Sequence, residues 1–408
     1  MTFPNNTNNR VFYATQAVAV GDIGATGVKD SWDTTDAGDF IGDGYVMVAH
    51  GIQSIGVTTN FNLEQIFELG QLSLYENYEE VPDIEVTFEK ILDGYSLVYH
   101  LGTVDATDPT LTGRSNARSD IRMLIGYDTK TSVSNETAGQ SGVAELYCSG
   151  TYISSISYNL ATDGNFTEST TFVGNNKLWL TGAGSLLADS NGLIADAFDV
   201  FDGNDAPVGP GNSVLRRQNL VIDSTGKDYG GTTFRTVVPD FIEGTDPASA
   251  TGIEGVGGTG LATNCSYVEN DVYINSVSIS CDLGRESINS LGKKTPYLRY
   301  VNFPVEVTCD IEVTATGGDN IDAYEEGNPA LTGSRNLKNH SIQFVLDDST
   351  VFSLGNKNKL TSVSYGGGDA GGGNATITYS MSNFNDFVVM HSGDPITLAA
   401  GSYYKDWF

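Results

Sequence analysis

The strongest constraint on this chain is that part of it occurs twice. The stretch Ile52 to Asp93, IQSIGVTTNFNLEQIFELGQLSLYENYEEVPDIEVTFEKILD, has a second version beginning at Ile274, INSVSISCDLGRESINSLGKKTPYLRYVNFPVEVTCDIEV. From Ile52 to Pro82 the two align without a gap at a constant offset of 222 residues. Nine of those 31 positions are identical: Ile52/Ile274, Ser54/Ser276, Glu64/Glu286, Ile66/Ile288, Leu69/Leu291, Gly70/Gly292, Tyr75/Tyr297, Tyr78/Tyr300 and Pro82/Pro304. Unrelated segments of this composition match at about two positions over that length, so the identities mark an internal duplication. Deleting one residue in the second copy then aligns Glu85-Val86-Thr87 with Glu306-Val307-Thr308.

The repeat has a legible local pattern. Ile55, Val57 and Thr59 alternate with Gly56 and Thr58, as Val277, Ile279 and Cys281 alternate with Ser278 and Ser280, which predicts a half-buried strand in each copy. Asn60 and Asp282 follow at equivalent positions and suit helix N-caps. Leu63, Ile66 and Phe67 fall at i, i+3 and i+4, and Gly70 or Gly292 supplies a stop. These signals predict one helix of about two turns per module, too short to stand alone and therefore packed on a sheet. A connection follows in which Tyr75, Tyr78, Tyr297 and Tyr300 recur at one spacing. In the next strand Ile84, Val86, Phe88 and Leu92 match Val305, Val307, Cys309 and Val313, with Ile311 where the first copy carries Lys90. Period-two alternation means one covered face, hence an antiparallel sheet.

The duplication continues. Leu111-Thr112-Gly113 matches Leu331-Thr332-Gly333, Ile121 to Ile125 matches Ile342 to Leu346, and Ser155 to Tyr158 matches Ser362 to Tyr365, with final strands near Trp179 and Phe387. The predicted fold class is mainly β: two tandem β-sandwich or barrel-like modules, each with one short flanking α-helix. The expected divisions are an N-terminal arm over 1–44, module one over 45–179, a linker or insertion over 180–263, module two over 264–390 and a C-terminal tail over 391–408. The middle segment has no counterpart in either copy, yet it carries Val214-Leu215, Leu220 to Ile222 and Phe234 to Val238. Part of it is therefore expected to form strands against a module or a neighbour, with Gly252 to Gly260 as a flexible joint. The tail ends in Tyr403, Tyr404, Trp407 and Phe408, an apolar terminus that calls for something to dock against.

At 408 residues with 39% hydrophobic content the chain can build packed cores. Its net charge of -30 repels nucleic-acid phosphates, which disfavours a duplex-binding protein. Two meanings remain for that charge: solubility, or a surface past which nucleic acid slides without sticking. Cys148, Cys265, Cys281 and Cys309 show no CxxC and no metal-ligand spacing, and are expected to be buried free thiols. MTFPNNTNNR has no apolar core and no stretch approaches a membrane span, which predicts synthesis and folding in a reducing cytoplasm.

Signals for chemistry are weak. His50, His100, His340 and His391 have no recurrent partner, and none is a histidine in both copies. GxSxG, HExxH and a framed carboxylate pair are missing. Gly366 to Gly368 and Gly371 to Gly373 lack the Lys-Ser/Thr of a phosphate loop and read as a hairpin tip. Asp199 to Asp205 lacks the closing glutamate of a calcium loop. No enzyme, metal or cofactor is predicted.

The order of strand, short helix, tyrosine-bearing connection and strand in ELGQLSLYENYEEVPDIEVTFEKILDGYSLVYHL resembles the major tail tube proteins of tailed bacteriophages, as does the later ISSISYNLATDGNFTESTTFVGNNKLW. The likeness covers Tyr45–Trp179, and reaches Tyr267–Phe387 through the repeat. It implies modules that close a six-position ring through continued sheet pairing. Such rings stack into a hollow tube whose acidic lumen passes double-stranded DNA. Three two-module chains would supply the six positions, a departure from the single-module hexamer. It further implies a virion location after assembly in the host cytoplasm, and contacts with terminator, tip or baseplate, and tape-measure proteins.

On this reading the residues to test for inter-subunit contact are Tyr75, Tyr78, Tyr297, Tyr300, Trp407 and Phe408, since aromatic side chains are favoured at interfaces. Two other readings remain at this stage: a tail-tip or baseplate hub built from tandem tube-like modules, and a β-rich surface or carbohydrate-binding protein.

Overall fold

The computed structural model describes residues 16–29, 44–106, 108–125, 144–181, 185–187, 214–222, 226–229, 232–242, 265–267, 273–316, 321, 339–368 and 372–391. The chain is mainly β. The first half carries β1 (Gln16–Gly21), β2 (Gly27–Lys29), β3 (Tyr45–Val48), β4 (Ile52–Asn60), β5 (Leu63–Phe67), β6 (Leu74–Glu79) and β7 (Asp83–Ile91). Two single-turn helices follow, α1 (Val98–Leu101) and α2 (Leu111–Arg114), then β8 (Ser119–Ile125), β9 (Ala144–Ala161), β10 (Thr167–Gly174) and β11 (Asn176–Leu180). The middle segment contributes β12 (Lys227–Tyr229), β13 (Thr232–Phe234), β14 (Val237–Pro239) and β15 (Cys265–Tyr267). The second half carries β16 (Ile274–Asp282), β17 (Arg285–Ile288), β18 (Leu298–Val301), β19 (Glu306–Thr314), β20 (Gln343–Val345), β21 (Val351–Ser353), β22 (Lys359–Gly366), β23 (Thr376–Phe384) and β24 (Val388–Met390).

Strand order repeats with the sequence. β4, β7, β10 and the second half of β9 pair in that order, and β16, β19, β23 and β22 pair in the same order. β9 also pairs with β16, so the two sets form one antiparallel array running β4-β7-β10-β9-β16-β19-β23-β22. A second layer repeats too: β1-β8-β9-β11 in one module, β14-β20-β21-β24 in the other. β14, from the middle segment, thus stands beside β20 as β1 stands beside β8.

β9 serves both layers, its first half on β8 and β11 and its second on β10 and β16. It turns at Gly150, whose φ of 65° is open to glycine at no cost. In the second module the same path is split into β21 and β22, with Gly355 at φ 66° between them. Alternation explains why these segments are strands. β7 turns Ile84, Val86 and Phe88 inward, and β19 turns Val307, Cys309, Ile311 and Val313 inward. Each such burial contributes about 1.5–3 kcal/mol. One core cluster draws on both modules; Tyr158 of the first packs its ring 4.6 Å from Phe352 of the second.

Three sequence expectations are corrected. The helix placed after Asn60 and Asp282 does not form; residues 63–79 are a β5–β6 hairpin and residues 285–301 a β17–β18 hairpin. Asn60 and Asp282 end strands, and Asp282 Oδ1 accepts from the Gly284 amide at 2.9 Å. The i, i+3, i+4 stripe needed a sheet to lie on, and β5 is exposed along its length, so cross-strand pairing wins. Among the described residues the α-helices are α1 and α2, elsewhere in the first module, and the second module contains none.

The third correction is the register of the repeat beyond Pro82. Ile55 lies opposite Phe88 and Val277 opposite Ile311; Ser54 lies opposite Glu89 and Ser276 opposite Glu312. The offset there is 223, not 221, so Ile311 takes the place of Phe88 and Val313 that of Lys90. Both strand pairs carry a bulge at the same point, between Ile52/Ser54 and between Ile274/Ser276. A two-residue slip keeps every side chain on its face, which is why alternation did not detect it.

Candidate assembly surface

The two hairpins stand away from the core. In β5–β6, Glu64 lies opposite Tyr78, and in β17–β18, Glu286 lies opposite Tyr300. These two pairs are among the identities that revealed the duplication, so the repeat preserved a cross-strand contact. The Tyr300 hydroxyl donates to Glu286 Oε2 at 2.8 Å, and this contact raises its phenol above the ordinary value. Around the first hairpin Phe61, Leu63, Ile66, Phe67, Leu69, Leu72, Leu74, Tyr75 and Tyr78 are all exposed, more large apolar side chains than a solvated hairpin needs. The second exposes Ile288, Leu291 and Tyr297, while Tyr300 is half-buried. Four of the six expected contact residues therefore lie on these hairpins; Trp407 and Phe408 fall outside the described residues.

Where the modules meet inside the chain, three cations fasten them. The main chain closes first, with the Leu283 amide donating to Ser154 O at 2.8 Å. Arg285 donates from Nε to Ile153 O at 2.7 Å and lies over the Tyr152 ring at 5.0 Å; burial lowers its guanidinium to about 10. Arg299 pairs with Asp83 and donates from Nε to Asn175 Oδ1 at 3.2 Å. Burial alone would raise the Asp83 carboxyl, but the Asn62 amide and the Arg299 guanidinium outweigh it and hold it below the ordinary value. Lys294 brings its ammonium 5.8 Å from the Tyr78 ring, so the two hairpins are neighbours. Sequence reasoning missed these cations. Their signal was present in the alignment, where Arg285, Lys294 and Arg299 replace Leu63, Leu72 and Asn77 at the offset of 222.

No protein-family model matches the chain, and no curated protein does. Among solved structures, the tube-terminating cap of the anti-feeding prophage is similar at 12% identity and a TM-score of 0.27, covering 45% of this chain and 94% of that one. The baseplate of the anti-feeding prophage is similar at 11% identity and the same TM-score, covering 44% of this chain and 98% of that one. A TM-score of 0.27 is too low for either likeness to bear on fold or function.

Polar groups inside the first module are enclosed, not presented to solvent. Glu168 lies opposite Lys90 and accepts from the Val98 and Tyr99 amides, each at 2.9 Å. Burial raises its carboxyl above the ordinary value, partly offset by those amides and by Lys90. Lys90 donates to His50 O at 2.6 Å and to Asp93 Oδ1 at 2.7 Å. His100 and His391, one from each half of the chain, come within 6.4 Å, and His391 Nε2 lies 3.8 Å from Asp348 Oδ2. Spacing in sequence gave no hint of that approach. All three side chains are buried. Among the described residues no group of three or more His, Cys, Asp or Glu is arranged to hold a metal ion, and no helix is long and apolar enough to cross a membrane. Cys148, Cys281 and Cys309 are free and buried, and burial pushes the first two thiols up to about 11 and about 12.

Proposed function

We propose that this chain is a structural subunit of a bacteriophage-type tail tube. Two tube-like modules per chain make three chains equal to a six-position ring, and rings stack to enclose a lumen. Its work is geometric and electrostatic, without turnover or cofactor. The observation that carries this reading is the side-by-side repetition of the module within one sheet, joined by β9 and β16. A unit joined to its own copy in this head-to-tail way can continue, and rotation closes such a series into a ring. The hairpins around Tyr75, Tyr78, Tyr297 and Tyr300 lie at the lateral joints between modules and also reach from ring to ring. The net charge of -30 suits a conduit for double-stranded DNA, because a basic wall would hold the phosphates. Partners on this reading are further copies of the chain, then terminator, tip or baseplate and tape-measure proteins within the virion.

Negative-stain electron microscopy of the purified chain tests this. Rings or long tubes are expected. Monodisperse monomers at every concentration and salt would overturn the reading, and one isolated trimeric ring that never stacks would favour a tail-tip or baseplate hub.

A further inference from the structure

The array of paired strands begins at β4 and ends at β22, and no described strand pairs with the outer side of either. Each has a counterpart that is fully paired. β4 corresponds to β16 at the offset of 222. β22 corresponds to the second half of β9 at an offset of 207: Ser155 and Ser362 sit beside matching bulges at which the register skips Ser154 and Thr361. Burial differs between counterparts as a missing strand would make it differ. Val277, Ile279 and Cys281 are buried on β16, while Ile55, Val57 and Thr59 are half-exposed on β4. Tyr158 is 1% exposed on β9, while Tyr365 is 52% exposed on β22.

We infer that β22 of one chain pairs antiparallel with β4 of a second copy, in the register of the joint inside the chain. In that internal joint Ile279 lies opposite Tyr158, Ser280 opposite Ser157 and Cys281 opposite Ile156. Transferred by the two offsets, Val57 lies opposite Tyr365, Thr58 opposite Ser364 and Thr59 opposite Val363. The pairing supplies hydrogen bonds that no described strand gives to either edge, and covers Tyr365 and Val57. This deepens the ring-forming reading and rests on it for its setting, while the register stands on the duplication alone.

The two joints differ in chemistry. The main-chain bond from Leu283 to Ser154 transfers to Phe61 and Thr361 whatever the side chains. The cations do not transfer. Leu63 stands where Arg285 does and cannot donate to Leu360, the counterpart of Ile153. Asn77 stands where Arg299 does, facing Glu306 in place of Asp83. Leu72, fully exposed in the single chain, stands where Lys294 does and meets Tyr300 in place of Tyr78. The joint between chains is therefore apolar at the hairpins, and the joint within the chain is charge-fastened.

Disulfide trapping tests the register. In full-length protein with Cys265→Ser, the pairs Thr58→Cys with Ser364→Cys and Val57→Cys with Tyr365→Cys are oxidised and run on non-reducing gels. Adjacent positions alternate between close and wide pairs in an antiparallel ladder, so one of the two suits a disulfide. A displaced pair, Thr58→Cys with Ser362→Cys, serves as control. The better matched pair is expected to give covalent multimers about tenfold faster than the displaced one. Rings by electron microscopy with no preference for the matched pairs would overturn the register and leave the ring. Register-specific multimers without rings would keep the strand pairing and overturn the ring. Neither multimers nor rings would overturn both.

Discussion

At the scale of single residues, the two modules solve one position differently. Lys90 and Glu168 face each other in the first module; Val313 and Ile377 take those places in the second. A satisfied polar arrangement and an apolar pair are often near-equal in net stability, because desolvation offsets most of the attraction. Here Lys90 is ion-paired with Asp93, and Glu168 is held by the Val98 and Tyr99 amides. Removing one of these partners is another matter. Glu168→Ala strands the buried Val98 and Tyr99 amides and is expected to cost about 2–4 kcal/mol, read by urea denaturation. Glu168 also sets a pH trend. Its folded carboxyl titrates above the unfolded one, so the folded chain binds the extra proton between the two values. Stability from this group is therefore greatest below the ordinary carboxylate value and falls as pH rises through the folded one. Glu168→Gln should flatten that descent; an unchanged slope would show the carboxyl to be titrating normally. None of this was legible in the sequence, since Lys90 looked like one lapse in an alternating strand, and its partner is fixed only by the β7–β10 register.

At the scale of elements, the legible part was what repetition could amplify. The strands at Ile52 and Ile274 and their inward faces followed from alternation that occurs twice. The hairpins did not, because Leu63, Ile66 and Phe67 satisfy a helical stripe while the decisive contacts lie 14 residues apart, at Glu64/Tyr78 and Glu286/Tyr300. Glycines at Gly70 and Gly292, with φ of 91° and 84°, fit a helix stop and a hairpin turn alike. Expecting contact at the tyrosines did not depend on that choice, since either element would present them outward. Tyr75 and Tyr78 are exposed, and Tyr78 meets Glu64 across the hairpin and the exposed Lys294 ammonium, contacts that count for little at a solvated surface. Tyr75→Ala with Tyr78→Ala should therefore leave the fold soluble and lower its thermal midpoint only slightly. Ring stacking should weaken, seen as shorter tubes by electron microscopy at equal protein concentration. Tubes of unchanged length would remove the hairpins from the ring-to-ring contact.

At the scale of the whole molecule, net charge and joint chemistry make opposite demands on salt. Copies carrying a charge of -30 repel one another, and salt screens that repulsion over a Debye length of about 8 Å at 0.15 M. If cations fastened the joint between chains as Arg285, Lys294 and Arg299 fasten the one within, the same salt would also weaken the attraction. With Leu63, Leu72 and Asn77 in those places, only the repulsion is screened, and apolar burial is left to act. Assembly should therefore increase as sodium chloride rises from about 50 mM to about 500 mM, measured by sedimentation velocity at fixed protein concentration. Placing charge at the joint, by Leu63→Glu with Leu72→Glu, should abolish that increase while the monomer keeps its fold, because both side chains are exposed in the single chain. Assemblies that dissolve as salt rises would mean that charge attraction holds the copies together, and would point to contacts other than the β22–β4 joint and its apolar hairpins.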